Sequence, residues 1–285
     1  MRFQPRWQRR SRDGGRKAAC DDAGPPFAIA PIVLNTFGMT DLRHHPLAPD
    51  RRIAFRRAAG EAPTIVFLPG YRSDMTGGKA TALFDWARAS GRGCLLLDYS
   101  GCGASPGEFA DGTLSRWRDE VLALIAAETS GRLLLVGSSM GGWLMMLAAL
   151  ALDPARIAGL VGVAAAPDFT EWGFDPGQKA ALAAGDTVLE VNPYGPEPTP
   201  TYPGFWADGQ RLRLLEGDIA LDCPVRLLHG GRDREVPYQI ALRLATALRS
   251  EDVQVTLVKD ADHRLSRSCD IDLLLRTVEC LAAAA

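Results

Sequence analysis

Residues 132–147 read R-L-L-L-V-G-S-S-M-G-G-W-L-M-M-L, and this stretch decides the fold. The apolar run 133–136 has the length and composition of a buried strand. It passes at once into Gly137-Ser138-Ser139-Met140-Gly141, and an apolar helical pattern follows. That is G-x-S-x-G between a strand and a helix. A serine in so sharp a turn has a strained backbone. The glycines two residues to either side let the strand and helix backbones approach without Cβ clashes. Ser139 Oγ is then expected at the C-terminal edge of a sheet, at the head of a helix, where it can act as a nucleophile.

Working outward, the same alternation continues on both sides. Strands are expected at 53–57, 64–68 and 94–97, with a helix at 78–89 and another opening at Thr113. After the central stretch come strands at 157–163, 225–228 and 253–258, a helix at 237–248 and a closing helix from about 271 to 283. Apolar strands alternating with helices predict an α/β fold with a mainly parallel sheet and helices on both faces. Between 168 and about 215 the alternation breaks. Pro176, Pro193, Pro196, Pro198, Pro200 and Pro203 are interspersed there with Phe169, Trp172, Phe174, Tyr194, Tyr202, Phe205 and Trp206. So long and aromatic a segment reads as a small cap inserted over the sheet.

The chain has 285 residues, 47% of them hydrophobic and 23% charged, with a net charge of −2. That suits one large domain with a substantial core, and it makes no case for nucleic acid as a partner. No run approaches the ~18 apolar residues of a membrane span, so no stable membrane insertion is expected. The cysteines at 20, 94, 102, 223, 269 and 280 show no C-x-x-C spacing, and a reducing compartment is the simplest reading. Cys94 and Cys280 read as core residues. Four histidines without an H-E-x-x-H pattern predict no metal. The segment 1–38 is rich in arginine and poor in acids. It reads as a disordered basic tail or an over-extended start of translation, with a transit peptide or a nucleic-acid arm as the alternatives. The folded α/β domain is expected to span 39–285.

In an open α/β sheet, ligands bind beyond the carboxyl ends of the strands. Ser139, Asp233 and His263 all fall just past such ends. A serine hydroxyl needs a base to take its proton, and the base needs an acid to fix its tautomer. Here the order along the chain is serine, acid, histidine. His263 is expected as the base. His229 is its rival but suits a structural hydrogen bond, and His44 and His45 precede the sheet. Asp233 is expected as the acid, with Asp168 the alternative position and Asp262 pointing elsewhere. Two backbone N–H groups, of Met140 and Tyr71, are expected to form an oxyanion hole. Trp143, Phe169, Trp172 and Phe205 are candidates for lining an apolar acyl channel under the cap. Gly101-x-Gly103-x-Ser105 lacks the lysine and third glycine of nucleotide loops, and reads as a tight turn beside the site.

The segments F-L-P-G-Y, L-D-Y-S-G-C-G-A-S, V-G-S-S-M-G-G-W-L-M, C-P-V-R-L-L-H-G-G-R-D-R-E-V-P and D-A-D-H-R-L together resemble the α/β-hydrolase superfamily of serine hydrolases. Within it they are most similar to the mitochondrial palmitoyl-protein thioesterases that also cleave acyl-glucuronides. The resemblance covers roughly residues 50–282. It places Ser139, Asp233 and His263 on that family's nucleophile, acid and base. It implies an α/β-hydrolase fold and a cofactor-free acyl-enzyme mechanism acting on a small-molecule ester or an S-acylated protein. Acyl-glucuronide esterase and serine peptidase are the alternatives within the class, and a non-catalytic hydrolase-fold binding protein is the alternative outside it. The alanine- and arginine-rich composition favours a bacterial, cytoplasmic setting, and the resemblance implies a mitochondrial one if the source is a eukaryote. No oligomeric state is assigned.

Overall fold

A computed structural model describes residues 42–49, 51–193 and 195–285. The basic segment 1–38, Cys20 and Tyr194 lie outside the described residues.

In chain order the elements are β1 (Arg43–Ala48), β2 (Arg51–Ala58), β3 (Glu61–Leu68), α1 (Gly78–Ala89), β4 (Arg92–Leu97), α2 (Leu114–Glu128), β5 (Leu133–Ser138), α3 (Met140–Ala151) and β6 (Ile157–Val163). There follow α4 (Phe169–Trp172), α5 (Pro176–Ala184), β7 (Val188–Glu190), β8 (Thr199–Thr201) and α6 (Pro203–Arg211). The chain then returns through β9 (Val225–Gly230), α7 (Gln239–Ala247), β10 (Val253–Val258) and α8 (Ser268–Ala283). Among the described residues, eight strands form one sheet in the order β1-β2-β4-β3-β5-β6-β9-β10. From β4 to β10 all pairings are parallel, while β1 and β2 join antiparallel at one edge. This is the mainly parallel sheet expected from the alternation.

The period of two along each central strand sends neighbouring side chains to opposite faces. Val66 and Leu68 of β3, with Leu133 and Leu135 of β5, pack on one side with Trp117 and Val121 of α2, Trp143 of α3 and Leu244 of α7. Ile65, Phe67, Leu134 and Val136 pack on the other with Leu83 and Phe84 of α1 and Leu274 and Val278 of α8. Because both faces are covered, these strands read as continuous apolar runs. Trp117 is fully buried, and its indole N–H donates to the Ser100 carbonyl. At ~25 cal/mol per Å² over the 150–250 Å² that a tryptophan buries, its burial is worth about 4–6 kcal/mol. Helix α3 is buried around most of its surface, as suits a helix inside the core.

Two expectations change. His44 and His45 do not precede the sheet; they lie in β1, its edge strand. The polar, proline-containing R-H-H-P-L-A segment carries no strand signal of its own, and pairing with β2 supplies it. Cys280 is exposed rather than in the core. The buried face of α8 runs through Leu274, Leu275, Val278, Leu281 and Ala282, and a residue two past Val278 falls on the far side.

The excursion between β6 and β9 holds α4, α5, α6 and the β7–β8 hairpin. Helix α5 begins with a reciprocal cap. Asp175 accepts from the Gln178 N–H, and Gln178 accepts from the Asp175 N–H. The excursion is fixed at its base by Asp168, whose two carboxylate oxygens accept from the N–H groups of Leu214 (2.8 Å) and Leu215 (2.7 Å). A second carboxylate, Asp208 of α6, accepts from the Ser115 N–H and hydroxyl at the start of α2.

Candidate active site

Ser139 has φ 55° and ψ −121°, a region that costs a non-glycine residue about 1–3 kcal/mol. The surroundings hold it there. Its N–H donates to the Val163 carbonyl, and its own carbonyl accepts from Gly142 and Ala166. The turn also requires glycine at 141, because a Cβ there would overlap the Leu68 and Pro69 carbonyl oxygens. Ser139 thus stands where β5 ends and α3 begins, with its side chain clear of the core.

The ends of β9 and β10 bring two more groups to it. Asp233 follows β9, and His263 lies between β10 and α8. His263 Nδ1 lies 2.8 Å from Asp233 Oδ2. A carboxylate can only accept, so Nδ1 carries the hydrogen and donates it. Nε2 is then the acceptor, 3.1 Å from Ser139 Oγ. Asp233 Oδ1 accepts from the N–H groups of Glu235 and Val236. Burial alone would raise the Asp233 carboxyl, but hydrogen bonds with His229, His263 and the Val236 N–H outweigh it and hold the group well below the usual carboxylate range.

The other candidates fall into place around this line. His229 is fully buried. Its Nε2–H donates to the Val236 carbonyl (2.9 Å) and lies 3.3 Å from Asp233 Oδ2, so it braces the acid. Asp168 holds the base of the excursion, as described above, and its carboxylate is bonded there. Asp262 accepts from the Arg264 N–H. Met140 is the first residue of α3, so its N–H has no partner within the helix. A Cβ on Gly70 would stand 3.3 Å from Ser139 Cβ, so the Gly70–Tyr71 segment runs directly against the serine. In the Gly101–Ser105 turn, Asp98 accepts from the N–H groups of Met75 and Ala104. Ser105 donates to the Asp98 carbonyl.

The four aromatic candidates separate. Trp143 and Phe205 have essentially no exposed surface. The Trp143 indole donates to the Leu212 carbonyl, and Phe205 packs against Tyr71, Trp117 and Phe169. A side chain with no accessible surface borders no open channel, so both are corrected to core residues that seat the excursion on the sheet. Phe169 and Trp172 retain some exposure.

Two residues near the base were not singled out from the sequence. Glu235 Oε2 lies 3.9 Å from His263 Nε2; its position two residues after the acid was the available signal. The Lys79 ammonium in α1 donates to the Arg264 carbonyl at 2.6 Å, next to His263. Burial lowers its pKa to about 8. No sequence signal links positions so far apart. Among the described residues no group of three or more His, Cys, Asp or Glu side chains could hold a metal ion.

A strained serine at the C-terminal edge of a covered parallel sheet, beneath an inserted excursion, is the arrangement of an α/β hydrolase. Residues 65–274 match the Alpha/beta hydrolase family, and the chain belongs to it. It is 39% identical over 232 residues to the mitochondrial palmitoyl-protein thioesterase ABHD10 of Mus musculus, covering 80% of this chain and 77% of that protein. The solved structure of mouse alpha/beta hydrolase domain-containing protein 10 superposes with a TM-score of 0.78 at 35% identity, covering 84% of this chain and 97% of that one. A putative hydrolase from Agrobacterium vitis S4 has the same TM-score at 40% identity, covering 85% and 99%.

Proposed function

We propose that this hydrolase cleaves carboxylic thioesters and esters, with S-acylated protein as its leading substrate class, through an acyl-enzyme on Ser139. The observation that carries this is the hydrogen-bonded line Asp233–His263–Ser139. Ser139 Oγ attacks the acyl carbonyl as its proton passes to His263 Nε2. Asp233, kept ionised by its hydrogen bonds, fixes the tautomer and stabilises the imidazolium. The N–H groups of Met140 and Tyr71 receive the oxyanion, and the N-terminus of α3 adds a favourable dipole. The carbonyl re-forms and expels the thiol or alcohol, which takes the proton from Nε2. Water then attacks the acyl-enzyme with His263 as base and releases the carboxylic acid, restoring Ser139. The preference for thioesters rests on the palmitoyl-protein thioesterase relatives. They are mitochondrial, which favours that address over a cytoplasmic one if the source is eukaryotic. Among the described residues no helix is long and apolar enough to cross a membrane.

The test measures Ser139→Ala against wild type on p-nitrophenyl esters and S-acyl peptides of increasing chain length, with an acyl-glucuronide alongside. Turnover should fall on the order of 10⁶-fold, and a fluorophosphonate should label only the wild type. An alanine variant of near wild-type activity sinks the mechanism. A panel in which acyl-glucuronides outrun S-acyl peptides replaces the substrate class and keeps the mechanism.

A further inference from the structure

The turn carrying Tyr71 is held from two directions. From the sheet side, the Tyr99 hydroxyl donates to the Pro69 carbonyl (3.0 Å), and the Ser73 N–H closes the turn onto the Gly70 carbonyl (3.0 Å). From the cap side, the Tyr71 hydroxyl donates to the Pro200 carbonyl (2.9 Å), and Arg72 donates to the Pro198 carbonyl (3.0 Å). Both acceptors lie at strand β8 or the residue before it. The Tyr71 ring sits 4.9 Å from Phe205 and 6.1 Å from Phe169, both in the cap, and 5.0 Å from Phe109 below it. Burial keeps the phenol protonated, and so a donor. Arg72 has φ 56°, a left-handed conformation that an arginine holds only when its surroundings impose it.

An oxyanion donor acts only when its N–H stands about 2.7–3.1 Å from the developing charge. The segment that offers the Tyr71 N–H is also the segment bolted to β8. We infer that the Tyr71 hydroxyl and the Arg72 guanidinium are positioning groups that couple the seating of the cap to the geometry of the oxyanion hole. With the cap seated, β8 draws the turn against Ser139 and the Tyr71 N–H meets the oxyanion. With the cap displaced, the turn loses two of the four bonds named above and the donor drifts. The cap thereby gates the chemical step as well as access. This rests on the oxyanion role proposed above for Tyr71.

The test is Tyr71→Phe, which removes the hydroxyl and keeps the ring, with Arg72→Met as an independent second variant. Three quantities are read: kcat and KM on a short p-nitrophenyl ester, the affinity of an alkyl boronic acid that becomes tetrahedral on the serine, and the affinity of the carboxylic acid product. Tyr71→Phe should lower kcat about tenfold with KM changed less than twofold. Boronate affinity should fall by the same factor while product affinity holds. Arg72→Met should act in the same direction by about threefold. A merely structural role would lower the melting temperature without separating the boronate from the product. Two results overturn the coupling: kcat and boronate affinity within twofold of wild type in both variants, or equal loss of boronate and product affinity. If Ser139→Ala keeps its activity, the underlying acyl-enzyme reading has failed instead.

Discussion

The serine turn and the excursion between β6 and β9 are built on opposite plans. The turn is fixed by its own backbone: a strained Ser139 whose N–H and carbonyl are bonded, and a glycine where a Cβ would overlap the neighbouring strand. The cap is fixed by side chains reaching across long separations. Asp168 bonds the far stem, Asp208 bonds α2, and Tyr71 and Arg72 bond β8. Its own surface includes Leu189 and Val191, both well exposed. A strained turn needs a rigid backbone to hold it. An excursion held by side chains has joints that can be changed one at a time.

That contrast can be broken or sharpened by substitution. The largest of these effects is expected at the carboxylate that reaches the turn through His263. Asp233→Asn should cost on the order of 10⁴ in kcat, as losing the tautomer-fixing acid does in serine triads. Its stability effect has a set pH dependence. The Asp233 carboxyl is held below its unfolded value. The stabilisation it provides is therefore complete above about pH 4 to 5 and is lost as the pH falls through the folded pKa. Urea melts of wild type and variant should converge on acidification. A difference that grows in acid would contradict the assignment.

Next in size is Gly141→Ala. The added methyl has backbone carbonyls where it must go. The expected cost is about 4 kcal/mol or more, a large share of the 5–15 kcal/mol of an ordinary domain. Denaturant melts would show it, and a loss under 1 kcal/mol would mean that the turn is slack. For the cap, Asp168→Ala strands two N–H groups and should cost about 2–3 kcal/mol. Asp168→Asn, which keeps one acceptor, should recover roughly half of that. Proteolysis in the cap should follow the same ranking. Smallest is Ser115→Ala. Asp208 keeps the Ser115 N–H and Arg211, so the loss should be about 1 kcal/mol, with kcat for a short ester unaffected.

The same contrast explains what could be read from the chain. Strands β6 and β10 and helix α1 show plainly in the sequence, because burial on both faces leaves a continuous apolar run and burial on one leaves a periodic one. Ser139 could be placed because its requirement for small neighbours is local. Asp233 and His263 could be placed because each follows a recognisable strand. Strand β1 left no record, since an edge strand needs only a partner. Trp143 and Phe205 read from the sequence as channel candidates because an aromatic side chain reads alike whether it lines a cavity or fills one. The Tyr71 bond to Pro200 spans 129 residues, and nothing in the composition of either segment announces it.

The Asp168 carboxylate has one more consequence. By joining residue 168 to residues 214 and 215, it brings the two stems of the excursion together. The entropy of closing such a loop grows only slowly with its length, by about 0.6 kcal/mol for each doubling. What lies between the stems can therefore lengthen, shorten or be exchanged whole while the strands beneath keep their register. The excursion is in effect a cassette with a polar clasp, which can be exchanged without remodelling the strands beneath it.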